Sequence, residues 1–374
     1  MNKKILIPLF AFTIGVSPIS KSFVVNAEED KCISNTDIML ITAQHVKTNY
    51  GYNVYPVDII PLYDTNDQVI AYNVNLNNGS YLIINSNKNN PSIIEFGEQQ
   101  YVFQSVNKQY YISPLIVEES TNVTNNTRIT NKIENNETFY SFLKSDNVNK
   151  KQYYDDLKSK IYSNSTLNLS SNSGNTREII QSDYEFFLFS GELDSVGYEE
   201  TYIYNARNLV TAWKNMNTFQ NLSGVENHCA ATSAYNLIYY YKYFNNDTLP
   251  NTTSEIHQLF LDIYEYIGEG PVTPLSFRNK LKDYLEEETN YNYTIEQLSE
   301  TWSNYKTEIN NNCMVNLCYM ASLTSAHMVN GVGYREYVFD NYCIIYNNWD
   351  VAAYRYVLFD ISELYRISKV DIYI

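Results

Sequence analysis

The sequence predicts an α+β protein with two folded parts, and three stretches carry that reading. Ile70, Tyr72, Val74 and Leu76 alternate with Ala71, Asn73 and Asn75 ahead of Asn78-Gly79 and Tyr81 to Ile84, the period-2 pattern of a hairpin closed by a two-residue turn. Ala230, Ala234, Leu237, Ile238 and Tyr241 fall on one face of a helix that begins near Cys229. Ala326 to Tyr334 and Tyr342 to Tyr346 are apolar runs of strand character one turn apart, a second hairpin. A length of 374 residues is a prior for two or three domains at roughly 100 to 200 residues each.

The chain opens on Met1-Asn2-Lys3-Lys4 and an apolar run from Ile5 to Val16 interrupted by Thr13. Val25-Asn26-Ala27 then presents the modest residues a signal peptidase reads, directly before Glu28-Glu29-Asp30, so residues 1–27 read as an export signal cut after Ala27. An apolar run of about a dozen residues falls short of the roughly 20 that span a bilayer, so stable membrane insertion is not expected. The expected product is secreted and extracellular, free or held near the cell wall. Cleavage removes Lys3, Lys4 and Lys21 and no acids, which lowers Lys+Arg from 26 to 23 against 42 Asp+Glu and takes the net charge from −16 to −19. Such a surface repels phosphate backbones and excludes a general nucleic-acid binder.

Residues 28–118 read as a small domain of one helix and an antiparallel sheet. Ile38, Met39, Ile41, Ala43 and Val46 predict a helix over 36–46 capped by Asn35 or Thr36. Asp64-Thr65-Asn66-Asp67 and Asn89-Asn90-Pro91 predict turns, the latter leading into the strand Ser92-Ile93-Ile94-Glu95-Phe96. Residues 119–184 are rich in Asn, Ser and Thr and read as a linker with one amphipathic helix around Glu137 to Tyr162, and with a protease-sensitive stretch near Arg177. From 185 to 374 the chain is aromatic and apolar, and this part carries the chemistry.

Cys229 stands at the first turn of its helix, where unsatisfied N–H groups and the positive end of the dipole favour a thiolate and are placed to hold an oxyanion. A thiolate nucleophile needs a proton acceptor, and the chain has four histidines. His45 lies in the amino-terminal domain, His228 adjoins Cys229 and points elsewhere, and His257 belongs to a helical surface pattern. His327 opens an apolar strand, and Asn347-Asn348-Trp349-Asp350 follows the next strand, so that a side-chain amide can fix the imidazole tautomer beneath a shielding Trp. Asp350 competes with Asn347 for that orienting role. Cys313, Cys318 and Cys343 sit in apolar runs and read as core residues, and Cys32 lies near the mature amino terminus. The odd cysteine count leaves at least one thiol unpaired, assigned here to Cys229.

A Cys opening a helix, a His opening a strand and Asn-x-Trp after the following strand resemble papain-like cysteine peptidases. More narrowly, Glu226-Asn227-His228-Cys229-Ala230-Ala231-Thr232-Ser233-Ala234 with Asn236 resembles the bacteriocin-processing-peptidase-like, C-x-x-T type group and streptopain-type enzymes. Pro61-Leu62-Tyr63, Ile70-Ala71-Tyr72 and Gly79 to Asn85 are similar to the inhibitory prosegment of streptopain-type zymogens. The resemblance implies a papain-like catalytic domain after a small α+β prosegment that contacts it in cis. It also implies a Cys229, His327 and Asn347 triad acting on protein or peptide substrates. Where papain-like enzymes place an oxyanion-hole Gln this chain has Ser223, which leaves Gln220 and Asn227 as candidates.

Two other functions use the same residues: a cell-wall peptidoglycan amidase or endopeptidase, and a secreted binding protein that keeps the fold without turnover. The acidic charge disfavours work near teichoic acid phosphates. No pair of histidines has ligand spacing, and neither C-x-x-C nor a glycine-rich phosphate loop occurs, so no metal and no cofactor is expected. Amino-terminal sequencing of the exported chain should begin at Glu28; a secreted form that retains Met1 would remove the signal-peptide reading.

Overall fold

The computed structural model describes residues 31–101, 108–119, 137–164, 183–270, 272–322, 325–349, 353–359 and 365–373. The export segment, Arg177 and Asp350 lie outside these residues. The amino-terminal part runs α1 (Asn35–Asn49), β1 (Pro56–Tyr63), β2 (Val69–Leu76), β3 (Tyr81–Asn85), β4 (Ile93–Gly97), β5 (Gln109–Ser113), β6 (Ile116–Glu119), α2 (Glu137–Lys144) and α3 (Val148–Asn164). The carboxy-terminal part begins β7 (Glu199–Tyr202), α4 (Ala206–Leu209), α5 (Met216–Ser223), α6 (Cys229–Phe244), α7 (Thr253–Ile267), α8 (Pro274–Glu288) and β8 (Asn292–Leu298). It continues with α9 (Trp302–Asn310), β9 (Val315–Ser322), β10 (Ser325–Glu336), β11 (Asn341–Tyr346), β12 (Tyr354–Leu358) and β13 (Tyr365–Tyr373). Helix and sheet are mixed throughout, as an α+β reading requires.

Local chemistry explains where these elements start and stop. Helix α1 is capped by Ser34 rather than by Asn35 or Thr36. The Asp37 N–H donates to Ser34 Oγ at 3.2 Å and the Ser34 N–H to Asp37 Oδ2 at 3.1 Å, a reciprocal capping box. The β2–β3 hairpin forms where the alternation places it. Of Asn78-Gly79 only Gly79 takes a left-handed φ, 87°, while the Asn78 side chain accepts from the Ser80 N–H at 3.1 Å. The single helix expected across Glu137 to Tyr162 is two, α2 and α3. Asn147 interrupts it because its side-chain oxygen accepts from the Lys150 N–H at 3.1 Å and starts a new helix.

Both helices of that stretch are anchored rather than loose. Asn85 Nδ2 donates to the Leu143 carbonyl at 3.0 Å and Asn87 Nδ2 to the Ser145 carbonyl at 2.9 Å. Buried Lys150 donates from Nζ to Ser92 Oγ at 2.8 Å and pairs with Asp340 of the carboxy-terminal part.

The strands form one continuous sheet in the order β6-β5-β1-β2-β3-β4-β12-β11-β10-β9-β13-β8, with β7 on β10. The two parts meet where β4 pairs antiparallel with β12, Tyr356 opposite Phe96 and Val357 opposite Glu95. Phe96 stacks on Tyr356 at 4.4 Å and meets Tyr342 edge-on at 5.1 Å, and the Tyr342 hydroxyl donates to the Ile93 carbonyl at 2.8 Å. Arg355 and Glu95, both fully buried, approach to 3.8 Å across this seam. Tyr81 and Tyr101 donate their hydroxyls to Glu95 while their rings lie 4.9 and 4.6 Å from the Arg355 guanidinium. A buried charge keeps its place only with its countercharge and hydrogen bonds present. Among the described residues no helix is long and apolar enough to cross a membrane.

Replacing Arg355 with Met strands Glu95 as a buried carboxylate and should lower the unfolding free energy by roughly 3–5 kcal/mol in urea titrations. Arg355→Met with Glu95→Gln should recover part of that loss; equal losses for the single and double variants would contradict the pairing.

Candidate active site

Helix α6 begins at Cys229, with His228 at its N-cap position. The His228 ring is buried, pairs through Nδ1 with Thr232 Oγ1 at 2.9 Å and lies 5.3 Å from the Phe260 ring. Thr232 of the Cys-x-x-Thr pattern thus holds His228 in an aromatic pocket, and burial pulls its imidazole below the ordinary histidine range. His45 is likewise buried on α1, 4.6 Å from the Phe96 ring, and burial pulls it down to about 3. His257 lies on α7.

His327 belongs to β10, opposite Tyr319 of β9. Its Nε2 lies 2.8 Å from the Asn347 carbonyl oxygen and 3.0 Å from Asn347 Oδ1. A backbone carbonyl has no proton to give, so Nε2–H is the donor and Nδ1 is the acceptor nitrogen of the neutral ring. Trp349 meets the imidazole edge at 4.7 Å. Trp349 is 44% exposed, so the shield expected of it covers the imidazole from one flank while part of the indole stays in water. His327 is 2% exposed and Asn347 4%.

Cys229 joins these residues through the strand backbone: the N–H of Met328, the residue after His327, points at the Cys229 sulfur, as do the N–H groups of Ala230 and of Cys229 itself. The structure therefore brings together the helix start, the His strand and the Asn347 loop. Cys229 is half-buried, like Cys32; desolvation pushes its thiol up, against the three backbone N–H groups that favour the thiolate expected at a helix start. All five cysteines are thiols, with Cys313, Cys318 and Cys343 in the core and Cys32 half-buried. Gln220, on α5, and Asn227, which has a left-handed φ of 53°, are both exposed on the approach to α6.

Beneath these residues lies a buried amide cluster. Asn236 of α6 exchanges two hydrogen bonds of 2.8 Å with the Lys214 backbone and donates from Nδ2 to Asn348 Oδ1 at 2.8 Å. Asn348 Nδ2 donates to Asn330 Oδ1 at 2.9 Å, and Asn330 Nδ2 donates to the Ser233 carbonyl at 3.1 Å. Asn316 Nδ2 donates to Ser233 Oγ at 2.6 Å. Asn316, Asn330 and Asn348 are absent from the sequence-derived site, although an Asn inside the run Met328-Val329-Asn330-Gly331-Val332 is the kind of buried polar residue that marks such a network. Among the described residues no group of three His, Cys, Asp or Glu side chains is arranged to hold a metal.

No family model matches the chain. No curated protein matches it either. Among solved structures, a fragment of Prevotella intermedia prointerpain A superposes with a TM-score of 0.39 at 10% identity, covering 84% of this chain and 98% of that one.

Burial disfavours the charged thiolate, so in the full-length chain iodoacetamide labelling of Cys229, followed by peptide mass spectrometry, should rise with pH about a midpoint above the ordinary thiol value of 9.0. A midpoint below that value would mean that the helix terminus outweighs burial.

Proposed function

We propose that this chain is a secreted cysteine endopeptidase made as a zymogen, with Cys229 as nucleophile, His327 as general base and acid, and Asn347 as orienter. One observation carries the reading: His327 holds its Nε2–H on Asn347 while the neighbouring Met328 N–H faces the Cys229 sulfur. That tautomer leaves Nδ1 to take the thiol proton. The thiolate then attacks the carbonyl carbon of a peptide, and its electrons move onto the carbonyl oxygen. Amides at the start of α6 stabilise that oxyanion. Collapse forms a thioester and expels the amine, which takes its proton from His327. Water, deprotonated by the same imidazole, hydrolyses the thioester and frees the acid.

Residues 28–118 serve as the prosegment in this reading, with 119–184 as the linker that joins it to the catalytic part. Its support is the sheet that continues from β4 into β12 and the buried Arg355–Glu95 pair across it. Activation then needs a cut in the chain between the two parts.

After limited tryptic cutting and trypsin inhibition, the full-length protein should hydrolyse casein. Cys229→Ala should abolish the activity and His327→Ala should lower kcat about 10²- to 10⁴-fold, the range for a lost general acid–base. Casein hydrolysis that survives Cys229→Ala would sink the proposal, whereas loss of cell-wall turbidity with casein intact would favour the amidase chemistry.

A further inference from the structure

The β10–β11 ladder pairs Asn330 with Tyr346 and Gly331 with Ile345. Carried two and three residues further, the same register sets Met328 opposite Asn348 and His327 opposite Trp349, and the 4.7 Å contact between the last two rings fits it. Strand β11 nevertheless ends at Tyr346, because Asn348 takes a left-handed φ of 62° and the chain turns out of the ladder. The hydrogen bond that the backbone abandons there is made by a side chain: Asn348 Nδ2 donates to the Met328 carbonyl at 3.2 Å. In a strand the N–H and C=O of one residue point to the same side. The Met328 N–H therefore occupies the slot next to that carbonyl, and it is the Cys229 sulfur that fills it.

We propose that Asn348 is a positioning residue of this site: its amide replaces the missing ladder bond, fixes Met328, and so aims the Met328 N–H at the nucleophile. The remaining bonds of Asn348 make it a three-way brace. Its Nδ2 also reaches Asn330 Oδ1 on β10, its Oδ1 accepts from Asn236 on the nucleophile helix, and its backbone carbonyl accepts from the Met216 N–H at 2.8 Å at the start of α5. The residue is completely buried, so no water replaces an amide bond lost there.

The catalytic meaning of this inference rests on the peptidase reading, but its test reads the thiol itself. Asn348→Gly keeps the left-handed backbone without strain and deletes only the amide, whereas Ala would strain that φ. In the full-length chain the pH midpoint of Cys229 alkylation should move up by about one unit in Asn348→Gly, the equivalent of one hydrogen bond to a charged group. Asn348→Asp, which turns two donors into acceptors facing two oxygens, should move it at least as far. Asn85→Ala removes a buried amide bond in the amino-terminal part; it should lower the melting temperature and leave the midpoint in place. An unshifted midpoint in Asn348→Gly overturns the proposal, as does an equal shift in Asn85→Ala. If Cys229-dependent hydrolysis proves absent, the peptidase reading fails while the alkylation midpoint still decides the role of Asn348.

Discussion

The carboxy-terminal part depends on one constraint: a helix start and a strand from distant parts of the chain must be held a few ångströms apart, and a cluster of buried amides does it. Asn236, Asn348, Asn330, Asn316 and Ser233 tie α6 to β9, β10 and the loop after β11. Apolar packing alone would allow helix and strand to slide, because dispersion contacts have little directional preference. Amide pairs in a low-dielectric interior do not slide, since each shift strands a donor or an acceptor without water to replace its partner. This is why the region spends buried volume on asparagine where leucine would pack as well.

A second constraint acts at the seam between the two parts. Continuing the sheet from β4 to β12 satisfies backbone groups that would otherwise form two open edges, and it sets Glu95 beside Arg355 where neither meets solvent. Separating the parts would expose stacked aromatics, two strand edges and a matched charge pair together. The amino-terminal part is thus bound by the same kinds of contact that hold a domain core together. Arg335 adds to this from β10, pairing with Glu200 and donating to Asn49 Oδ1 of α1 at 2.5 Å.

How legible these features were depended on their range in sequence. The hairpin at Asn78-Gly79 and the helix at Cys229 are set by patterns a few residues long, and the chain forms them where those patterns lie. The sequence places the cap of α1 one or two residues late, at Asn35 or Thr36, because Ser34, Asn35 and Thr36 are all good caps and only Asp37, three residues after Ser34, completes the box. The break at Asn147 was missed because its side chain competes for a backbone N–H within an otherwise helical run. At the site, Cys229, His327 and Asn347 could be proposed from residue type and order. The Asn348 brace could not, since its meaning lies in a register that fails two residues beyond a strand end.

By itself, the sequence determined the α+β character, the positions of the strong local elements, the acidic charge and the residues capable of nucleophilic chemistry. These follow from periodicity, turn chemistry and side-chain pKa, which act over a few residues or none. Only the tertiary structure decided that His327 presents Nδ1, that desolvation pushes the Cys229 thiol up, and that the two parts share one sheet. The first depends on Asn347, 20 residues from His327 and across a turn of chain, and the others on groups about 100 or more residues apart or on the exclusion of water around them; desolvation exists only once the chain has closed over the site.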